Sequence, residues 1–413
     1  MTRDILQQSY EALRYNRRRS MLTMLGMAWG IATVVLLLAY GSGFGQAIHN
    51  IFASYGIKSV WIWPNRTTLQ AGGSKAGSQV RLTEDDIEKL KQNVPSLEDI
   101  TPEVGKNANV SYEGRSFTWW VRGDYPLLQR ILIFEMDEGR FYNPEDLVQK
   151  SRVAVLGSEA KDKLFSGRNA VGEYVRIDGV SFQVIGVLKP KMQEGDNDIN
   201  RVVDVPFTTM KELTNTKYLN GVWLSYETDD WEQIDRTIRN TLGAIHNFNP
   251  ADKRAVFVNI TEKQLDQFNI ITMGLKVLLA FIGTLTLGIG GVGLMNIMLV
   301  SVQQRTREIG IEKALGATRR NILMQFLAEA LAITAVGGIL GIIMAYVVSY
   351  SVGTLTLYSA LAKHGEGGDI RLIISPATVV IATVILGLVG LVSGMLPAIR
   401  ASRLDPIEAL RYE

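Results

Sequence analysis

The sequence predicts an integral membrane protein with four transmembrane α-helices and a large inserted α+β extracytoplasmic domain. Apolar residues are concentrated in four stretches, and most charged residues lie between those stretches. Each stretch contains about 20 or more mainly apolar residues, which suffices to cross ~30 Å of hydrocarbon as an α-helix. Residues 46–268 separate the first stretch from the second, and they mix strand-like alternation with helical periodicity.

The ends of these stretches divide the chain into its predicted parts. They are a cytoplasmic amphipathic N-terminal helix (1–20), transmembrane helix 1 (21–45), the extracytoplasmic domain (46–268), transmembrane helix 2 (269–303), a cytoplasmic loop with a short helix (304–320), transmembrane helix 3 (321–352), a short extracytoplasmic loop (353–374), transmembrane helix 4 (375–399) and a cytoplasmic tail (400–413). For residues 3–20 two interpretations stay open: a helix lying on the membrane lipids of the inner leaflet, or a basic flank that only sets topology.

The distribution of basic residues predicts the orientation. Arginine and lysine cluster before the first stretch, between the second and third, and after the fourth. In the connection between the third and fourth stretches, the only basic residues are Lys363 and Arg371. By the positive-inside rule, both termini and the middle loop are then cytoplasmic, and the large domain lies outside.

Composition and motifs argue against several functions. The formal net charge of +2 argues against nucleic acid as the main partner. The chain has no cysteine, and His49, His246 and His364 lack the spacing of metal ligands. It contains no H-E-x-x-H, G-x-S-x-G or G-x-x-x-x-G-K-[ST] motif. We therefore expect no enzyme activity, no catalytic, cofactor-binding or metal-binding residues, and an ATPase on another polypeptide if the function is ATP-driven.

The inserted domain is predicted to mix helices and strands. The expected elements are strands at 58–63 and 152–156, hairpins around Glu113-Gly114 and Asp178-Gly179, and helices beginning after Thr83 and at Trp231. Residues 70–79 and 190–200 are predicted loops, because they are rich in small, polar or acidic residues. For Trp119 and Trp120 two interpretations stay open: side chains in the hydrophobic core, or side chains that line a ligand-binding surface.

Glycine pairs four residues apart mark expected helix contacts, because they let two backbones approach closely. The pairs are Gly26 and Gly30 in the first stretch, Gly337 and Gly341 in the third, and Gly390 and Gly394 in the fourth. The glycine-rich run at 288–293 in the second stretch suits either close packing or a flexible hinge.

Glu329 is an ionisable residue near the start of the third stretch. Such a group usually faces protein or water instead of lipid. One interpretation is a contact to a partner or to the middle loop. The other is an interfacial side chain that pairs with Arg319 or Arg320.

The segment from Arg305 to Ala317 is predicted to form a short helix between two transmembrane helices. Its residues expected to contact a partner are Arg305, Arg307, Glu308, Ile309, Glu312, Lys313, Ala314 and Leu315, with Gly316 placed to end the helix. A short helix in this position can transmit force from a motor to the membrane by rigid-body motion.

Three segments together resemble FtsX-like, MacB-type ABC transporter permeases. They are QQRTREIGIEKALGATRRNILMQFLAEA (303–330), LPAIRASRLDPIEALRYE (396–413) and, in the periplasmic core domain, SRVAVLGSEAKDKLFSGRNAVGEYVRIDGVSFQVIGVLK (151–189). The resemblance implies a permease of the bacterial cytoplasmic (inner) membrane that exports a drug, peptide or lipid-like substrate by mechanotransmission. The middle loop would be the coupling helix, seated in an ATPase subunit that uses ATP-Mg.

The resemblance also implies partners. They are a separate ABC ATPase, a second permease chain in a homodimer, a membrane-fusion adaptor protein and an outer-membrane channel. The namesake of the family fuses its ATPase to the permease, whereas this chain begins close to its first apolar stretch. We therefore expect the motor on a separate polypeptide.

Two alternative functions remain open, the first in the same machine class and the second in a different class. One is a permease that extracts lipoproteins, and another is an FtsX-like regulator of an extracellular enzyme. An ion-coupled secondary carrier fits poorly, because four spans with almost no buried charge lack the intramembrane charge pairs expected of such a carrier.

Overall fold

The computed structural model describes residues 17–70, 75–94, 96–192, 199–355 and 368–410. The chain divides into two compact units, a helical unit (Met1–Ala47, Ile270–Thr356 and Ile370–Glu413) and an inserted domain (Ile48–Asn269 with Leu357–Asp369). The segments predicted at 1–20, 70–79, 190–200, 353–374 and 400–413 lie partly outside the described residues.

Helices dominate one unit and strands the other. The helices of the described residues are α1 (Arg17–Ser54), α2 (Glu84–Asn93), α3 (Leu128–Ile131), α4 (Pro144–Val148), α5 (Ser158–Phe165), α6 (Phe207–Met210), α7 (Trp231–His246), α8 (Thr261–Gln304), α9 (Thr306–Ala314), α10 (Arg319–Val352), α11 (Pro376–Arg403) and α12 (Pro406–Leu410). The strands are β1 (Ser59–Pro64), β2 (Leu97–Tyr112), β3 (Arg115–Asp124), β4 (Met136–Gly139), β5 (Val153–Leu156), β6 (Tyr174–Ile177), β7 (Val180–Leu188), β8 (Val203–Pro206), β9 (Gly221–Tyr226), β10 (Val256–Ile260), β11 (Thr354–Leu355) and β12 (Ile370–Arg371).

Four helices, α1, α8, α10 and α11, are long and apolar enough to cross a membrane. The longest, α8, has 44 residues. At the usual rise per residue it measures roughly 66 Å, well beyond the ~30 Å of a hydrocarbon core. It therefore extends past the bilayer on at least one side.

Large apolar side chains are exposed along all four helices. Trp29 on α1, Phe281 on α8, Ile339 on α10 and Leu388 on α11 are each at least 60% exposed. Water would disfavour so much exposed apolar surface, whereas the acyl chains of a bilayer cover it at little cost. The four helices therefore match the predicted class of membrane protein.

Glycines lie where these helices approach one another most closely. A Cβ on Gly30 of α1 would lie 2.8 Å from Leu287 Cδ1 of α8, and one on Gly337 of α10 would lie 2.9 Å from Met27 Cβ of α1. A Cβ on Gly341 would lie only 2.0 Å from Ile31 Cγ2. The bundle thus depends on bare backbone at these positions.

The same holds between α10 and α11. A Cβ on Gly390 would lie 2.7 Å from Thr334 Oγ1, and one on Gly394 would lie 2.6 Å from Ala330 Cβ. Gly26 differs, because a Cβ there would meet nothing within 4 Å among the described residues. Its backbone is nevertheless close to α8, since a Cβ on Gly290 would lie 3.2 Å from the Gly26 carbonyl oxygen.

The inserted domain is built around one large mixed sheet. Its strand order is β10-β1-β9-β2-β3-β8-β5-β7-β4, and β6 pairs with both β2 and β7. β3 with β8 and β5 with β7 run parallel, and the other neighbours run antiparallel. One face of the sheet packs on a hydrophobic core that includes Val60, Ile62, Val121 and Leu224.

The local elements predicted in the inserted domain are confirmed. Thr83 is the N-cap of α2 and forms a capping box with Asp86. β2 and β3 form a hairpin whose turn residues Glu113 and Gly114 both have positive φ, and β6 and β7 turn in the same way at Asp178-Gly179. Residues 71–74 and 193–198 of the predicted loops lie outside the described residues.

A buried ionic cluster joins β3 to β8. Arg122 Nη2 lies 2.7 Å from Asp204 Oδ1, and Arg122 Nε lies 3.4 Å from Asp124 Oδ2. Tyr142 donates a hydrogen bond to Asp124. Burial, reinforced by the neighbouring Asp204 carboxylate, raises the pKa of Asp124 well above its ordinary value. The one guanidinium thus holds two buried carboxyl groups together.

Candidate functional site

The helix α9 connects the end of α8 to the start of α10, as the sequence predicts. Thr306 begins it, and its hydroxyl donates to the carbonyl oxygens of Val302 and Gln303 at the end of α8. At the other end, Gly316 has φ +103°, Gly316 N–H donates to Lys313 O, and Ala317 N–H donates to Glu312 O. This pair of bonds is a Schellman motif, which explains why the helix stops at this glycine.

One face of α9 is buried against the membrane helices. Ile309 is only 3% exposed and belongs to a cluster that includes Met298 of α8 and Ile322 and Phe326 of α10. The expectation that Ile309 contacts a partner is therefore corrected: its side chain anchors α9 to its own chain. The helical period explains the difference, because Ile309 falls on the same face as buried Thr306 and Gly310.

Lys313 also faces inward. Its Nζ donates to the carbonyl oxygens of Ser402, at 2.8 Å, and Leu404, at 2.6 Å, at the C-terminal end of α11. Those carbonyls have no partner within their own helix, and a lysine both satisfies them and complements the negative end of the helix dipole. Burial lowers the pKa of Lys313. The sequence placed this lysine among the partner contacts, whereas the structure ties it to α11.

Glu329 pairs with the residue that precedes α9. Its Oε2 lies 3.2 Å from Arg305 Nη1, and the residue is 8% exposed. Glu329 thus pairs with Arg305 of the middle loop and not with Arg319 or Arg320. Those arginines lie on the same helix nine and ten residues earlier, roughly 14 Å away along its axis.

The opposite face of α9 is exposed. Arg307 and Glu308 are exposed in the first turn, Glu312 is half-buried, and Leu315 and Gly316 are exposed at the end. Leu315 is 84% exposed and Ile311 is 46% exposed. Ile311 is not among the predicted partner contacts, although its spacing of four from Leu315 places both residues on one face.

The short helix α12 packs against α9. It buries Ala409 and leaves Ile407 71% exposed. A cavity of about 520 Å³ lies beside it, lined by Leu299, Val302, Gln303, Thr306, Arg400, Leu404, Glu408 and Ala409. The two short helices that pack together thus each carry an exposed apolar side chain.

These contacts define what α9 can do. Thr306 ties it to α8, Arg305 and Ile309 tie it to α10, and Lys313 ties it to α11. A force applied to its exposed face would therefore reach three membrane helices at once. Within the described residues, no group of His, Asp and Glu side chains could hold a metal ion.

Comparisons with known proteins bear on both units. The family model of the MacB-like periplasmic core domain matches residues 20–241, and that of the FtsX-like permease C-terminal domain matches residues 280–406. The chain is 31% identical over 400 residues to an uncharacterized ABC transporter permease, YknZ, of Bacillus subtilis, with 96% of each chain covered.

The chain is also similar to longer proteins. It is 32% identical over 411 residues to the macrolide export ATP-binding/permease protein MacB of Bdellovibrio bacteriovorus, covering 99% of this chain and 61% of the relative. It therefore spans about three fifths of the length of such relatives. The crystal structure of the periplasmic region of MacB from Actinobacillus actinomycetemcomitans covers 54% of this chain at 18% identity, with a TM-score of 0.43.

The two domain matches follow one another along the chain in the order of its two kinds of structure, the inserted sheet domain and the later membrane helices. Nearly the whole chain aligns with a single permease of similar length. The chain therefore belongs to the family of FtsX-like ABC transporter permeases with a MacB-like periplasmic core domain.

Proposed function

We propose that the chain is the permease subunit of an ATP-driven exporter, with α9 as the helix that receives the motion of an ATPase. The observation that carries this proposal is the two-sided character of α9. One side is anchored to α8, α10 and α11, and the other presents Ile311 and Leu315 to a partner. Two exposed apolar residues on one face of an otherwise anchored helix form a surface that a partner can cover.

The ATPase is proposed to be a separate subunit. The relative of similar length is named an ABC transporter permease, whereas the longer relatives are named ATP-binding/permease proteins. Names among the longer relatives include macrolide export and pyoverdine export. We therefore propose export by mechanotransmission, with ATP-Mg used by the partner, a membrane-fusion adaptor and an outer-membrane channel completing the machine, and both termini in the cytoplasm.

A homodimer is proposed to form through the outer face of α8. Phe281, Leu285, Ile289 and Asn296 follow one another on that face, and all are exposed. The Asn296 side chain makes no hydrogen bond within the described part of the chain. An amide facing acyl chains is unfavourable, and an asparagine of a second copy would satisfy it.

The experiment is affinity purification of the tagged chain from its native membrane in mild detergent, followed by identification of the co-purifying proteins. Recovery of an ATPase with a membrane-fusion adaptor is the expected result. Recovery of an ATPase with a lipoprotein carrier or with a cell-wall enzyme would favour the extractor or the regulator. Failure to recover any ATPase from a preparation that preserves other complexes would contradict the proposal.

A variant makes this experiment specific to α9. Leu315→Asp is expected to reduce ATPase recovery at least about tenfold, because it places a charge where an apolar side chain is buried on binding. Its matched control is Val148→Asp in the inserted domain, since Val148 is 83% exposed. Equal recovery from both variants would rule out docking through Leu315.

A further inference from the structure

A second concave surface lies in the inserted domain, away from α9 in the sequence. It is a cavity of about 1000 Å³, and its most informative lining residues are Trp61, Trp63, Trp120, Trp223, Glu103 and Arg122. The four indoles are all half-buried, so that part of each ring remains accessible. We refer to this feature as the indole cavity.

The sheet itself places these side chains on one face. Trp61 of β1 pairs across strands with Trp223 of β9, and Asn107 of β2 pairs with Trp120 of β3. The rings of Trp61 and Trp223 stack 5.4 Å apart at 8°. Neighbouring residues of a strand face opposite sides, so Trp119 packs in the hydrophobic core whereas Trp120 stays half-buried on the other side; both contribute atoms to the lining of the cavity.

Two glycines make room for the indoles. A Cβ on Gly105 would lie 2.5 Å from ring atoms of Trp120, and a Cβ on Gly221 would lie 2.7 Å from Trp61 Nε1. Trp120 and Trp61 therefore pack closely against bare backbone at these two positions. The Trp61 N–H is buried and has no hydrogen-bond partner among the described residues.

A buried carboxylate lies among the indoles. Glu103 is 4% exposed and accepts a hydrogen bond from Trp223 Nε1. Burial raises the pKa of Glu103, although Arg122 and the indole hydrogen bond oppose that rise. Arg122 is already held by Asp204 and Asp124, so its charge is shared among three acidic groups. The lining of the cavity contains Glu103 as its acid and Arg122, Lys163 and Arg201 as its cations, and Arg122 is already paired with two other carboxyl groups.

The cations at the rim are also engaged. Lys163 lies 2.7 Å and Arg201 lies 2.9 Å from the carboxylate of Glu159. The cation–π contacts of the described residues involve Tyr55, Tyr112, Phe134, Phe207, Tyr218 and Trp231. None of them uses the four indoles of the cavity. Trp61 packs on Trp63 and Trp223, and Trp63 packs on Phe257, but each of the four indoles is only half-buried, so part of its ring remains accessible to a ligand.

We propose that the indole cavity binds an amphipathic organic cation, with an aromatic or apolar body against the indoles and a protonated amine beside Glu103. Indole faces attract cations, and a nearby carboxylate adds a direct charge interaction. Glu103 disfavours anions, and a neutral or apolar ligand would not supply the counter-charge that a protonated amine brings to Glu103. That such a cation is also the exported substrate rests on the proposed function.

The experiment uses the full chain in lipid nanodiscs and equilibrium dialysis, with empty nanodiscs to correct for partitioning into lipid. The probes share one aromatic body and differ in charge: 1-naphthylmethylamine as the cation, 1-naphthylmethanol as the neutral form and 1-naphthylacetate as the anion. The cation is expected to bind about tenfold more tightly than the alcohol. Equal binding of the three probes, tighter binding of the anion, or no binding would overturn the proposal.

Variants locate the site. Glu103→Gln keeps the shape of the side chain and removes its charge. It is therefore expected to weaken binding of the cation about tenfold and to leave binding of the alcohol unchanged. Trp61→Leu is expected to weaken binding of both the cation and the alcohol. The controls are Glu232→Gln, which changes an exposed acid, and Trp231→Leu, which changes a tryptophan outside the cavity. Unchanged cation binding by Glu103→Gln would also overturn the proposal.

These outcomes are separate from those of the proposed function. The binding measurement contains no ATPase and no nucleotide. Recovery of an ATPase without cation binding would leave the exporter proposal intact and remove the indole cavity from it. Cation binding without recovery of any ATPase would support the indole cavity as a binding site and contradict the exporter proposal.

Discussion

Gly341→Ala is expected to prevent normal packing of α10 against α1. The added Cβ would lie 2.0 Å from Ile31 Cγ2 and 2.3 Å from the carbonyl oxygen of Ala28. The isoleucine side chain can rotate, but the carbonyl belongs to the helix backbone, so the two helices would have to separate. Overpacking typically costs 1–3 kcal/mol, and we expect about 3 kcal/mol because backbone must move.

The measurement is the temperature at which the detergent-purified protein loses its monodisperse peak in size-exclusion chromatography. The matched control is Gly387→Ala on α11, where a Cβ would meet nothing within 4 Å among the described residues. We expect a large downward shift for Gly341→Ala and little change for Gly387→Ala, since exposed changes usually stay within about 0.5 kcal/mol. Equal behaviour of the two variants would show that α1 and α10 do not pack as described.

Arg122→Met is expected to destabilise the inserted domain by about 3–5 kcal/mol. It removes the cation that pairs with Asp204 and Asp124, and it leaves their buried carboxyl groups without a counter-charge. The exposed Arg236→Met is the control. Thermal unfolding followed by tryptophan fluorescence would report the change.

The pH dependence identifies the cause. Without Arg122, the carboxyl groups of Asp204 and Asp124 must be protonated to remain buried, so their pKa in the folded state lies above that in the unfolded chain. A carboxyl group whose folded-state pKa is raised stabilises the fold less as pH rises. Burial already raises the pKa of Asp124 and Asp204 in the unsubstituted chain, and loss of Arg122 removes an interaction that lowers it. The variant is therefore expected to gain more stability than the unsubstituted chain on acidification from about pH 7.5 to 5.5. The additional replacement of Asp204 by Asn should recover part of the loss. Absence of both effects would mean that the arginine acts through packing alone.

Local features of this fold could be predicted from the sequence. The apolar stretches define the four long helices, and Glu113-Gly114 and Asp178-Gly179 define two hairpins, because in each case the physical cause lies within a few neighbouring residues. The end of α9 at Gly316 follows from the same kind of local chemistry.

Contacts between distant residues could not be predicted in this way. Glu103 meets Trp223 across 120 positions, and Lys313 meets the carbonyl oxygen of Ser402 across 89. Periodicity shows which residues of a helix share a face, but it does not show which face another helix will cover. That is why the sequence predicts partner contacts at Ile309 and Lys313, although both side chains make their contacts within the chain.

The most direct test of the central claim, that α9 receives the motion of an ATPase, is site-specific photocrosslinking in the native membrane. The photoreactive residue p-benzoylphenylalanine would replace Leu315 in one variant and Tyr350, which is 92% exposed near the opposite end of α10, in the other. We predict a crosslinked product from position 315 that contains a protein with a G-x-x-x-x-G-K-[ST] motif, and none from position 350. No such product from position 315, or the same product from both positions, would contradict the account.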